Sequence, residues 1–171
     1  MMTATSSVQR EPAKINVEGS DFAGFWQPPS LALSSYTWVS QGTANVGFLK
    51  FRMWTDLFNG VISKVRVTHT GTGLDSDITQ VRMYLDTDAG GNPDLGDGIF
   101  NFSVDRQVAS GAFPIGETRS AMLNVTSPSG VNGTITPSTH TYYLAFDVGP
   151  AANQNLVHGM VVTQSDIIPL P

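Results

Sequence analysis

The chain has 171 residues, and its 9 Lys and Arg against 14 Asp and Glu give a net charge of −5. That is the size of one ordinary domain, or one domain with an arm, and 40% hydrophobic residues are enough to bury a core. The acidic balance and scattered basic residues argue against a surface that neutralises nucleic-acid phosphates, and the absence of cysteine excludes disulfides, thiolate metal sites and thiol nucleophiles.

Residues 1–40 are expected to form an N-terminal tail and apolar arm. Met1 to Lys14 is small and polar, with neither the basic start nor the apolar stretch of a secretory leader. Lys14-Ile15-Asn16-Val17-Glu18 alternates and is expected to add an edge strand. Asp21 to Pro29 and Leu31 to Val39 carry large apolar groups without clean alternation, and Pro28-Pro29 interrupts any regular element. Such a segment either covers its own domain or docks on a neighbouring copy or module.

From residue 41 to 171 the pattern has period two, which sends alternate side chains to opposite faces of a strand. Leu49, Phe51 and Met53 alternate with Lys50 and Arg52, and Val61, Ser63, Val65 and Val67 with Lys64, Arg66 and Thr68. Asn59-Gly60 between them predicts a tight turn and a hairpin. Further strands are predicted over Ile78–Leu85, Ile99–Val104, Ala121–Val125, Tyr142–Val148 and Val157–Thr163, separated by Gly, Pro, Ser, Thr and Asn clusters. Seventeen Gly, 10 Pro and only 13% charged residues favour such a turn-rich β protein. The expected fold class is all-β: an antiparallel immunoglobulin-like β-sandwich of seven to eight strands. No run reaches the roughly 18 apolar residues of a membrane-spanning helix.

Six of the eleven Asp residues fall between Asp75 and Asp97, offset there only by Arg82. Asp86, Asp88, Asn92, Asp94 and Asp97 crowd four carboxylates and an amide into one loop, and their repulsion invites a divalent cation. Calcium suits this set, because Ca²⁺ takes about 6–8 oxygen ligands in flexible geometry. Gly90 and Gly91 permit the reversal between the two halves of the ligand set. The competing reading is a ligand-free turn in which Asp and Asn bond their own backbone. Asp75-Ser76-Asp77 reads as a solvated turn, since the strand after it spans about 25 Å at roughly 3.3 Å per residue and separates it from the loop.

The stretch "VTHTGTGLDSDITQVRMYLDTDAGGNPDLGDGIF", with the later "TYYLAFDV", resembles the repeated β-sandwich modules of large bacterial and archaeal cell-surface proteins. Their pattern pairs a "V-x-L/I-Y-x-D" strand with a "D-x-D/N-G-x-x-D-x-G-D" calcium loop. The resemblance covers about half the chain and implies Ca²⁺ ligands at Asp86, Asp88, Asn92, Asp94 and Asp97. Ala89-Gly90-Gly91 stands where that pattern is tighter. It further implies an extracellular, cell-surface location and a structural, non-enzymatic role, with neighbouring modules or further copies of the chain as partners.

Catalytic alternatives find little support. There is no Gly-x-Ser-x-Gly elbow, and His69, His140 and His158 are expected at the surface or at strand edges. Glu11, Glu18 and Glu117 lie in apparent linkers or turns, away from any carboxylate pair suited to glycoside hydrolysis. The alternative function is an adhesion module for carbohydrate or protein, in which Trp26, Tyr36, Trp38 and Trp54 stack on sugar rings.

Overall fold

A computed structural model describes residues 39–170 and the backbone of two preceding strands, β1 (Ala13–Val17) and β2 (Asp21–Trp26). The other strands are β3 (Val46–Thr55), β4 (Gly60–Gly71), β5 (Ile78–Leu85), β6 (Arg106–Gly111), β7 (Ser120–Val125), β8 (Thr134–Ile135), β9 (His140–Val148), β10 (His158–Val161) and β11 (Ile167–Pro169). All pairings are antiparallel, in the order β1-β2-β3-β9-β5-β6-β7-β4-β10, and β8 and β11 also pair with β4. Helix is confined, among the described residues, to short 3₁₀ turns.

The sheet is nearly barrel-shaped. Its interior takes one face of each long strand: Leu49, Phe51 and Met53 from β3, Val65 and Val67 from β4, Val81 and Met83 from β5, Leu123 from β7, and Tyr142 and Leu144 from β9. Each such side chain contributes about 1.5–3 kcal/mol relative to exposure. Phe51 and Tyr142 stack with ring centroids 5.7 Å apart. The curl turns at β6, which pairs with β5 over Val81–Leu85 but with β7 only through Ala109 and Ser110. Gly111 lets the two strands close here, because a Cβ on it would lie 2.3 Å from the Met122 carbonyl oxygen.

Three expectations about strands are corrected. β3 and β4 are not a hairpin: β3 lies between β2 and β9, whereas β4 pairs with β7, β8, β10 and β11. A type I′ hairpin turn needs positive φ at both central residues, and neither Asn59 nor Gly60 has it. Residues 56–59 instead join strands that do not pair with each other, and the Thr55 amide donates to Thr136 O beside β8.

The inward register of β4 also differs from the expectation. Ile62 is buried while Val61 and Ser63 are half-buried, because the ladder shifts opposite Ile168 and Pro169 and moves the alternation by one. Beyond that shift Val65, Val67 and His69 all point inward.

Ile99–Val104 is not a strand. Asn101 Oδ1 accepts from the Ser103 amide at 3.1 Å, and Asn101 O accepts from the amides of Val104 and Asp105. This turn chemistry outweighs the alternation. Ile99 and Phe102 are exposed, while Phe100 packs on Tyr84 and Tyr143 at 5.2 and 5.4 Å between ring centroids.

The expected arm contributes β1 and β2. They form a hairpin, and β2 pairs with the edge of β3 from Ala23↔Thr55 to Trp26↔Arg52. The apolar stretch before Val39 lies outside the described residues.

Candidate functional site

Strand β5 carries an acidic group at each end. At its C-terminal end, the ladder continues for one residue through the Asp86 amide to Thr141 O and then releases the loop 86–105. The Asp86 side chain is buried under this loop. Its Oδ2 accepts from the Gly98 amide at 2.9 Å and the Tyr143 hydroxyl at 3.3 Å, while Oδ1 is buried without a hydrogen-bond partner. Oδ1 faces Gly96, where a Cβ would lie 2.6 Å away. Burial first, and then the charges of Asp105 and Asp97, hold the Asp86 carboxyl above its ordinary range despite these two donors. Burial first, and then Asp86 and Asp105, push the Tyr143 phenol up.

Three of the other four expected ligands hold the loop's own backbone. Asp88 Oδ1 accepts from the amides of Gly90 and Asn92 at 3.0 and 2.7 Å. Asn92 Oδ1 accepts from Asp94 N at 3.0 Å, and Asp97 Oδ1 from Ile99 N at 2.8 Å. Asp94, exposed, faces Nε2 of buried His140 at 3.0 Å. Asp105, which the sequence reading did not single out, is buried and accepts from the amides of Thr87 and Asn101. Lys50 Nζ donates to Gly98 O at 2.7 Å, and Arg106 donates to Gly91 O.

The donor set is entirely oxygen, which suits a hard cation rather than zinc or copper. Asp88 and Asp97 each commit one carboxylate oxygen to the backbone and keep the other, and Asp86 Oδ1 is committed to nothing. In this arrangement no three of the described His, Asp and Glu side chains converge as a ready metal-holding group.

At the other end of β5, Asp75 and Asp77 are both buried, so the solvated-turn expectation is corrected. Asp75 Oδ1 lies 2.6 Å from His69 Nδ1, and Oδ2 accepts from the Arg119 amide at 2.6 Å. His69 Nε2 is 3.1 Å from His158 Nδ1, and the two rings stack in near-parallel planes. Asp77 Oδ1 accepts from the amide and side chain of Asn153, and Oδ2 accepts from Leu74 N while lying 3.7 Å from His158 Nε2. Burial alone would raise Asp77, but these donors and then His158 hold its carboxyl below the ordinary range. Of the histidines expected at the surface or at strand edges, His69 is instead buried within β4, and His140, the first residue of β9, is buried as well. The signal was present for His69: it continues the inward alternation of Val65 and Val67.

No family model matches the chain. No curated protein matches it either. Among the described residues, no helix is long and apolar enough to cross a membrane. Of the aromatic side chains expected to stack on sugars, Trp54 is half-buried on β3, and those of Trp26, Tyr36 and Trp38 lie outside the described residues.

Proposed function

We propose that the chain is a calcium-stabilised structural module of immunoglobulin-like character, working outside the cell as part of a surface array or of a filament of like subunits. The observation that carries this reading is the Asp86 Oδ1 atom, buried and unpartnered beneath a loop of oxygen ligands. A carboxylate oxygen in that position costs free energy unless a cation or a proton reaches it. Calcium would offset the cost while tying the loop to the end of β5. Asp86 would be joined by Asp88, Asn92, Asp94 and Asp97, backbone carbonyls and water.

The filament variant draws support from the hairpin β1–β2. An arm that adds its strand to the β3 edge of its own chain has the register to add to the same edge of a neighbouring copy, gaining the same backbone hydrogen bonds. Removal of residues 1–40 is then expected to leave a monomer. Assemblies of the truncated protein in negative stain would rule the arm out as connector.

Titration calorimetry with Ca²⁺ tests the ion. Binding heat is expected, with a rise in Tm of about 5–10 °C at a hundredfold excess over Kd that chelator reverses. No heat and no change in Tm would overturn the reading.

A further inference from the structure

The acidic loop is held to the barrel by an aromatic ring as well as by its carboxylates. On the outward face of the sheet, Gly47 of β3 pairs with Ala145 of β9, and in the neighbouring row Lys50, Tyr143 and Tyr84 stand abreast on β3, β9 and β5. Two small residues beside two tyrosines leave a notch, and Phe100 fills it: the ring packs on Tyr84 and Tyr143, in a cluster that also buries Ala145. The backbone at Gly47 has no positive φ and does not itself call for glycine. The ring does, because a Cβ on Gly47 would lie 2.6 Å from Phe100 Cδ1.

From the seated ring the chain runs straight back into the expected ligands. Two residues earlier, the Gly98 peptide is fixed on both sides: its amide donates to Asp86 Oδ2, and its carbonyl accepts from Lys50 Nζ. Lys50 Nζ lies 5.7 Å from the centroid of the Tyr143 ring, and the Tyr143 hydroxyl donates to the same Asp86 oxygen. Asp97, next to Gly98 and bonded to Ile99 N, is thereby held beside Asp86, whose Oδ1 is the unpartnered atom. Among the described residues neither Lys50 nor Arg106, the cations flanking the loop, makes an ion pair; they donate to the carbonyls of Gly98 and Gly91. The loop is shaped without its carboxylates being neutralised.

We propose that residues 96–100 form a strap buckled across β3, β9 and β5, and that Phe100 and Gly47 are positioning residues which set the calcium affinity of the loop without touching the ion. The inference rests on the calcium reading given above. With the ring seated, Asp97 and Asp86 stand together before the ion arrives. With the ring displaced, the ion must order that segment as it binds, and its apparent affinity falls in proportion to the fraction of molecules whose strap is closed. Partners that orient a metal's ligands from outside commonly contribute about 10–100-fold in affinity.

The test is calorimetric titration of the full chain with Ca²⁺ for the wild type, Phe100→Ala, Gly47→Ala and the double variant, each first shown to unfold cooperatively in chelator. Kd is expected to rise about tenfold in either single variant. It is expected to rise no further in the double variant, because Gly47→Ala acts only by displacing a ring that the double variant lacks. Phe100→Leu, which fills part of the notch, is expected to fall between the wild type and Phe100→Ala, and takes the latter's place should Phe100→Ala not fold. Wild-type affinity in both single variants, or effects that add in the double variant, would overturn the strap and leave the calcium reading standing. A wild type that takes up no Ca²⁺ would overturn the calcium reading and the strap with it.

Discussion

Asp75-Ser76-Asp77 and Asp86-Thr87-Asp88 share one spacing, stand at the two ends of the same strand, and have opposite surroundings. In the first, both carboxylates are buried and every oxygen meets a donor or a histidine, drawn from β4, β10 and the loops at 117–119 and 153. In the second, Asp86 is buried with an oxygen unmet, and Asp88 turns back on amides two and four residues away. Acidic spacing alone does not decide whether a carboxylate is structural or available. Long-range partners decide, and they make the first pair a keystone while leaving the second open to a ligand.

The largest test of that contrast is Asp75→Ala. It removes the acceptor of buried His69 and of the Arg119 amide, and a loss of about 3–5 kcal/mol is expected in urea denaturation. Asp88→Ala uncaps two amides on a half-exposed turn and is expected to cost only about 1 kcal/mol without calcium. Similar losses for the two would erase the distinction.

Asp86→Asn sharpens it. With chelator present, removal of a charge repelled by Asp105 and Asp97 is expected to leave Tm within a few degrees of wild type. With calcium added, the variant is expected to lose most of the ion-induced rise. A full calcium response in the variant would take Asp86 out of the ligand set.

The smallest effect is at acid pH. Burial alone would raise Asp77, Asp147 and Asp166, but Asn153 and Leu74 on the first, Arg82 and Asn45 on the second, and Thr163 and Arg66 on the third hold them below 3.8. Their contributions are present above that unfolded value and fade as pH falls through the lower folded values. Asp86 has the opposite sign, since its raised carboxyl favours the protonated folded state. An Asp166→Asn variant is therefore expected to show a shallower loss of stability below about pH 4 than the wild type.

Strands whose alternation continues unbroken were legible in the sequence. Leu49, Phe51 and Met53 point inward as their alternation with Lys50 and Arg52 predicts, and Ala121–Val125 is a strand as predicted. Period two states which face of a strand is wet, but it is silent about which strand lies alongside, so the β3–β4 hairpin was misread. It is also blind to turn chemistry within an alternating run, hence the false strand at Ile99–Val104. At the acidic loop, the residues were visible and their tasks were not. Asp105 was overlooked because it lies eight residues beyond the expected cluster, yet its charge acts on Asp86. The histidine cluster was out of reach for a different reason: its members lie 89 residues apart at the His69–His158 contact.

The partners of β4 all come from residue 120 onward, and β3 meets β9 only at residues 140–146. During synthesis, Leu49, Phe51, Met53, Val65 and Val67 therefore emerge long before the strands that shelter them. Such non-local pairing folds slowly and leaves apolar edges open in the meantime. Those side chains accordingly stay unsheltered during synthesis until the strands from residue 120 onward have been made.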